Sequence, residues 1–427
     1  MDSMKYQAVL FDLDGTLCDS APGILAGVRH VLSQMGREIP GESALRRFLG
    51  PPLSISFPSV CGMNQEETEE AQRLYRVYYH QTGYLQNAVY PGIRELLCAI
   101  KAQGAFLGIA THKPLKPSLK ILQAFDLLRY FDKVEGPGEG ESPEKAELIR
   151  RANPKGLKAV MIGDRATDIQ GACEAGIDSI AALYGYANEE EFIKSGTGAQ
   201  AKTVEDLYGL LGLEKPASRG YFISFEGNDG SGKSTQARLL SQRLVQCGYD
   251  VLLTREPGGT SLGEKIRDIL LDRDNTDMDN MTEALLYAAA RAQHVRQIIL
   301  PALAQGKLVI SDRYVDSSIA YQGAGRGLGM ELVRQINAPA IAGRLPDTTV
   351  FLSLDPKEGM ARRSRSSEID RLEGEADAFH QAVGRAFSKL AKGERRFITI
   401  PSLANKYDTA EMVFQKVTER LKEDGMP

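Results

Sequence analysis

Residues 225–235 read FEGNDGSGKST, and the position of this stretch decides how the chain divides. Gly227-x-x-x-x-Gly232-Lys233-Ser234 is the spacing of a P-loop, whose glycines let backbone N–H groups turn inward on phosphate oxygens. An apolar run precedes it (YFISF, 221–225) and a helical pattern follows (QARLLSQRL, 236–244), which is the setting the motif requires. A P-loop sits just after the first strand of its domain, yet more than two hundred residues stand in front of this one. Either it is embedded in one unusual fold, or a complete domain precedes it. A chain of 427 residues is too long for one ordinary core. In KTVEDLYGLLGLEKPASRG (202–220), LYGLLGL reads as the end of a last helix, and Glu214 to Gly220 as a polar connector. The boundary is expected near Lys215–Arg219, giving domains of residues 1–214 and 219–427.

Both halves alternate buried strands with helical stretches. AVLFDL (8–13), AFLGIAT (105–111), KAVMIGD (158–164) and SIAAL (179–183) are the strands of the first half. DVLLT, KLVISD, TTVFLSL and RRFITI join YFISF in the second. The fold class is α/β: two consecutive domains, each a mainly parallel sheet flanked by helices. Residues 19–84 turn helical and amphipathic, as in EETEEAQRLYRVYYHQ, and read as a cap inserted after the first strand. GPGEGE (136–141) and GAGRGLG (323–329) lack the GxGxxG spacing after a strand and read as loops.

The net charge of −4 argues against a general nucleic-acid binder. No secretory signal or membrane-length apolar run is visible. The five cysteines are scattered without a CxxC pair, which suits a reducing cytoplasm and offers no metal site. Any metal chemistry rests on carboxylates.

In FDLDGTLCDS, Asp12 and Asp14 lie two apart at a strand end. One carboxylate can attack phosphorus and the other can protonate the leaving oxygen. Two carboxylates meeting a phosphate dianion demand Mg²⁺. Thr111 closes a later strand and offers a hydroxyl; Asp164 closes another, and Asp168 follows in GDRATD. Lys145, at a helix start, is the candidate to neutralise the phosphoryl group, with Lys113 and Lys116 nearer to Thr111 in sequence. These four pieces, in order over about residues 5–213, resemble the haloacid dehalogenase-like phosphatases, in the phosphoglycolate phosphatase-like branch. The resemblance implies a Rossmann-like core with a helical cap. It also implies Asp12 as nucleophile, Asp14 as acid/base, and Thr111 and Lys145 as phosphate ligands. Mg²⁺ would be held by Asp12, Asp164, Asp168 and the backbone carbonyl of Asp14. His112 stands where relatives more often carry Ser. GPGEGESPEKAEL departs from the common third motif and resembles that of nucleotidase-like members.

In the second half, Gly227, Asn228, Asp229, Gly230, Ser231, Gly232, Lys233, Ser234 and Thr235 form the ATP loop, with Lys233 on the phosphates and Ser234 on Mg²⁺. An acidic Asp229 among phosphate-binding amides suits the hydroxyl of a second substrate. TREPGGT (254–260) places Arg255 at a strand end, AARAQH puts Arg291 on a helix, and SDRYVDSSIAYQ (311–322) carries Asp312 and Arg313. Asp312 suits Mg²⁺ or its water, and Arg313 suits the charge that spreads in phosphoryl transfer. RRSRSSEIDRLE (362–373) reads as a basic helical stretch, with Arg362, Arg363, Arg365 and Arg371 as a lid that excludes water.

FEGxDGxGKST, TREPGGT, RAQH and DRYxxSSxAYQ, in this order over about 219–427, resemble thymidylate kinase. The resemblance implies a P-loop nucleoside monophosphate kinase fold and the reaction ATP + dTMP → ADP + dTDP. It implies Asp229 on the 3′-hydroxyl, Arg255 and Arg313 on the dTMP phosphate, Arg291, Ser318 and Gln322 beside the base, and Tyr321 under the 2′ position. The Arg-rich lid is that of the bacterial subclass, and a homodimer through this domain is a further expectation. The partners expected are small molecules: ATP, dTMP and a phosphomonoester, with no nucleic acid and no membrane. Three alternatives stand beside this: the phosphatase half is the main activity, it is only a structural or regulatory module, or it hydrolyses nucleoside monophosphates to control the nucleotide pool.

Overall fold

The computed structural model describes residues 4–426 apart from 187–190, 193–198, 216–218, 364–370 and 373–374, and only the backbone of Arg363. The chain divides into two compact units, Met1–Pro216 with Gln246–Gly248, and Ala217–Val245 with Tyr249–Pro427.

The first unit contains β1 (Ala8–Phe11), β2 (Cys18–Asp19), β3 (Ala88–Val89), β4 (Phe106–Ala110), β5 (Lys133–Glu135), β6 (Ala159–Gly163), β7 (Asp178–Ala182) and β8 (Ala199–Ala201). Six of these form one sheet, in the order β5-β4-β1-β6-β7-β8, with every neighbouring pair parallel. β1 and β6 are buried along their whole length, as parallel strands covered on both faces must be. Phe11 lies opposite Ile109 on one side and Ile162 on the other. Asp12, Thr111 and Asp164 therefore leave the same edge of the sheet on three adjacent strands. The chain passes from β1 to β4 on one side and to β6 on the other, so this edge is the switch point where ligands of such sheets bind.

β2 and β3 pair antiparallel, Cys18 opposite Val89, as a stem. Between them lie helices Ala21–Gln34, Glu42–Leu45, Leu53–Cys61 and Gln65–Gln81. The last begins with reciprocal capping: Asn64 Oδ1 accepts from the Glu67 N–H at 2.9 Å, and the Glu67 carboxylate accepts from the Asn64 N–H at 3.0 Å. It buries Thr68, Ala71, Tyr75 and Tyr79, one helical face.

The second unit holds β9 (Tyr221–Glu226), β10 (Val251–Arg255), β11 (Leu308–Asp312), β12 (Thr348–Ser353) and β13 (Phe397–Pro401). Their order is β10-β11-β9-β12-β13, all parallel. Asp312 sits opposite Phe225 on one side and Arg255 on the other, which brings three motif-bearing loops to one edge. The core on one side of this sheet joins Phe222, Val309, Tyr314, Phe351 and Phe387.

Two local readings are corrected. GAGRGLG is not a loop throughout: Gly323–Gly325 complete a π-helical segment, Ile319–Gly325. A Cβ on Gly325 would stand 2.5 Å from the Phe379 ring, so close packing, not chain flexibility, is what needs glycine there. In the stretch 362–373 the helical reading does not hold throughout: Arg362 and Arg363 belong to helix Pro356–Arg363, whereas Arg371 and Leu372 form a turn, and residues 364–370 and 373 lie outside the described residues. Arg365 lies outside the described residues, as does the side chain of Arg363. The two short strands β5 and β8 carry no apolar run that the sequence could announce. Among the described residues, no helix is long and apolar enough to cross a membrane.

Candidate active sites

At the edge of the first sheet, ligand atoms of Asp12, Asp164 and Asp168 lie within 4.8 Å of one another, all buried. Lys145, first residue of helix Lys145–Ala152, donates to Asp12 Oδ1 at 2.8 Å and pairs with Asp168 at 2.5 Å. Among the lysines weighed, Lys145 is the one inside the carboxylate cluster. Asp164 is held from two sides, by the Thr16 hydroxyl at 3.2 Å and the Tyr186 N–H at 3.0 Å. Asp168 accepts from the Arg165 N–H at 3.0 Å. Burial, with Asp168 and Asp14 opposing Lys145, pushes the Asp12 carboxyl up to about 6. Burial and the neighbouring Asp12 hold the Asp164 carboxyl well above the usual range. Lys145 keeps its proton against burial because Asp12 and Asp168 face it. Three crowded carboxylates with one ammonium fit a hard dication with oxygen ligands. Among the described residues Asp14 Oδ1 is buried without a hydrogen-bond partner, a further acceptor in this region.

Lys113 does different work. Its ammonium donates to Asp14 Oδ2 at 2.8 Å and to the Tyr79 hydroxyl at 3.0 Å, and lies over the Tyr79 ring. It thus ties Asp14 to the last cap helix. Thr111 is buried at the end of β4, its Oγ1 accepting from the Lys113 N–H. Beside this site a cavity of about 450 Å³ is walled by Arg46, Arg47 and Ser56 of the cap and by Arg165 and Tyr186 of the core. Among the described residues Arg46 and Arg47 have no ion-pair partner, and both are exposed. Nothing in the motifs pointed to them, because only folding brings the cap loop against residue 165.

In the second unit, Lys233 is buried at the start of helix Lys233–Gln246 and donates to the Asn228 carbonyl at 2.8 Å. Burial and Arg313 push its ammonium down to about 8. Gly230 adopts φ +74°, and a Cβ there would overlap the Gly359 carbonyl oxygen, so the loop turn requires glycine. Among the described residues Asp312 Oδ1 is buried without a hydrogen-bond partner, and with Ser234, one residue past Lys233, it is a group that could hold a hard cation.

Asp229 binds the Arg313 guanidinium through one oxygen and the Tyr321 hydroxyl, at 2.7 Å, through the other. Burial would raise Asp229, but Arg313 and Lys233 hold its carboxyl below the usual range. Arg313 also donates to Ser317 at 3.1 Å, and its φ of +72° is a strained value for a side-chain-bearing residue. A pocket joins Asp229, Arg291, Arg313, Ser318, Tyr321 and Gln322. Arg291 is buried and spoken for: it donates to Glu256 at 2.7 Å, Ser318 at 3.1 Å, Asn337 and the Tyr314 carbonyl. Arg255 is apart from that group, largely exposed and paired with Glu264 at 2.9 Å.

Of the lid arginines, Arg362 bonds Ser402 and Glu358, and Arg371 bonds the Leu270 carbonyl and Glu283. Eight pocket residues were missed from sequence: Glu256, Pro257, Arg267, Leu271, Tyr287, Tyr314, Ser317 and Leu372. Glu256 stood inside the quoted TREPGGT motif; its link to Arg291 spans 35 positions and has no local signature.

Residues 225–413 match the family model for thymidylate kinase, and residues 9–182 that for haloacid dehalogenase-like hydrolase. The thymidylate kinase of Lactobacillus delbrueckii subsp. bulgaricus is 56% identical over 175 residues, 40% of this chain and 82% of that protein. That of Caldanaerobacter subterraneus subsp. tengcongensis is 49% identical over 205 residues, 48% of this chain and 98% of that protein. A haloacid dehalogenase-like family hydrolase from Streptococcus pneumoniae, solved structurally, is 29% identical, with a TM-score of 0.45 over 48% of this chain and 97% of its own. The chain belongs to the thymidylate kinase family and carries, before that domain in sequence, a haloacid dehalogenase-like hydrolase domain.

Proposed function

We propose that the second unit phosphorylates dTMP to dTDP with ATP and that the first hydrolyses a phosphomonoester, each at its own site. The kinase reading is carried by Asp229, Arg313 and Tyr321 meeting at the P-loop edge of the pocket. The loop amides and Lys233 would hold the donor phosphates, while Arg313 lies between the loop and the pocket, where transferring charge accumulates. An oxygen of the dTMP phosphate attacks the γ-phosphorus, and ADP leaves. Ser234 and Asp312 would hold the Mg²⁺ that neutralises the phosphates.

In the first unit an Asp12 oxygen attacks phosphorus, and Asp14 gives its proton to the departing alcohol. Asp14 then takes a proton from the water that releases phosphate and restores Asp12. Lys145 binds the phosphoryl oxygens and holds Asp12 in place. The carboxylates of Asp12, Asp164 and Asp168, with the backbone carbonyl of Asp14, would hold Mg²⁺, which supplies charge neutralisation. The cavity is lined by Arg46 and Arg47 and by Arg165, which Glu191 in the same wall pairs at 3.3 Å, and the two arginines of the cap favour a leaving group that bears its own negative charge over a neutral nucleoside. On this reading the two sites use separate substrates. Among the described residues no cysteine is in a disulfide, which suits a cytoplasmic enzyme.

The test is incubation with Mg²⁺, ATP and dTMP, separating nucleotides over time, beside Asp12→Asn and Lys233→Ala. Formation of dTDP that is lost only in Lys233→Ala supports the kinase reading, and its absence in every protein refutes it. Thymidine that accumulates and vanishes in Asp12→Asn would revive the shared-pool alternative.

A further inference from the structure

Glu283 is buried on helix Asn280–His294, and the mechanism above does not use it. Among the described residues, every polar group that reaches its side chain is a donor. Gln322 Nε2 donates to Oε1 at 2.8 Å, and Arg326 Nε to the same oxygen at 3.3 Å. Arg371 approaches Oε2 at 2.5 Å and Arg326 Nη2 at 3.1 Å. A protonated acid here would aim its O–H at another donor, so the site requires a carboxylate that only accepts. Arg326 and Arg371 are themselves fixed, by Glu375 at 2.5 Å and the Leu270 carbonyl at 3.0 Å.

The consequence falls on Gln322, which is buried and lines the pocket. A glutamine amide can present either end, and its surroundings decide which. Here the NH₂ end is committed to Glu283, and so the carbonyl end is the one left to the pocket. We propose that Glu283, clamped by Arg326 and Arg371, is a positioning residue that fixes the Gln322 amide. The pocket then accepts a base offering an N–H donor, the imide of thymine or uracil, and rejects cytosine, whose ring nitrogen offers a lone pair. The inference rests on reading this pocket as the monophosphate acceptor site.

The experiment compares kcat/KM for dTMP, dUMP and dCMP in the full chain and in Glu283→Gln. A neutral amide at 283 can donate or accept, so Gln322 is free to turn. The dTMP/dCMP ratio should fall about 10- to 100-fold, the effect of mispairing a buried polar group. dUMP should track dTMP, and first-unit phosphatase turnover should not change. An unchanged ratio with dTMP turnover retained overturns the inference. If Glu283→Gln loses the folded second unit, Gln322→Leu decides: it removes the acceptor, so the ratio must fall, and an unchanged ratio overturns the proposal. A wild-type protein that phosphorylates none of the three refutes the kinase reading itself, and the inference with it.

Discussion

Replacing Lys145 with methionine should unfold the first unit ahead of the second. The Lys145 ammonium is 5% exposed and stands 2.8 Å from Asp12 and 2.5 Å from Asp168, with Asp164 in the same cluster. Methionine keeps most of the chain length and removes the charge. Breaking a buried pair by removing one partner costs about 3–5 kcal/mol, because the other charge is left uncompensated. In a unit of this size each kcal/mol moves the midpoint by roughly 2–4 °C, so the first transition should drop by about 6–20 °C. The pH dependence follows from Asp12, whose carboxyl burial raises to about 6. A carboxyl raised in the folded state contributes stability that is present below its unfolded pKa, near 4, and lost as pH rises through about 6. Without Lys145 that loss deepens, so the deficit of the variant should be greater at pH 8 than at pH 5. Scanning calorimetry at both pH values, with and without Mg²⁺, reads this directly. Mg²⁺ should recover much of the loss, the second transition and dTDP formation should stay put, and phosphatase turnover should disappear. A first transition that does not move at pH 8, or a larger deficit at pH 5, refutes the view of Lys145 as counter-charge to this cluster.

Lys113→Met frees Asp14 from Tyr79. It should lower phosphatase kcat about tenfold or more, the scale of general acid–base catalysis, while KM changes little; steady-state kinetics with an aryl phosphate checks the split. Arg47→Ala should raise KM for phosphomonoesters whose leaving group carries a carboxylate or phosphate, and leave KM for p-nitrophenyl phosphate unchanged; equal effects on both would remove the cavity from substrate selection. Gly230→Ala forces φ +74° and a clash with the Gly359 carbonyl. ATP binding by calorimetry should weaken severely and the second thermal transition should drop, with phosphatase turnover intact.

Much of this protein is legible in sequence because its chemistry sits at strand ends. FDLDG, KAVMIGD and FEGNDGSGKST each join a buried apolar strand to a loop whose residue types serve phosphate, so local sequence announces both the strand and the site. Parallel α/β order follows from the same alternation, and two such series in one chain declare two domains. What tertiary structure decided is which side chains meet. Lys145 is the candidate the sequence favours although Lys113 and Lys116 stand nearer to Thr111, and the packing of helix Lys145–Ala152 against the sheet is what puts it between Asp12 and Asp168. Arg371 reads in sequence as one of a basic run, but the fold seats it on Glu283, 88 positions away. Glu283 lies on the helix that carries Arg291, at a position no motif covers, and its hold on Gln322 spans 39 positions. Periodicity and motif spacing report local geometry, whereas the partner of a buried charge is set by long-range packing, which no short window of sequence contains.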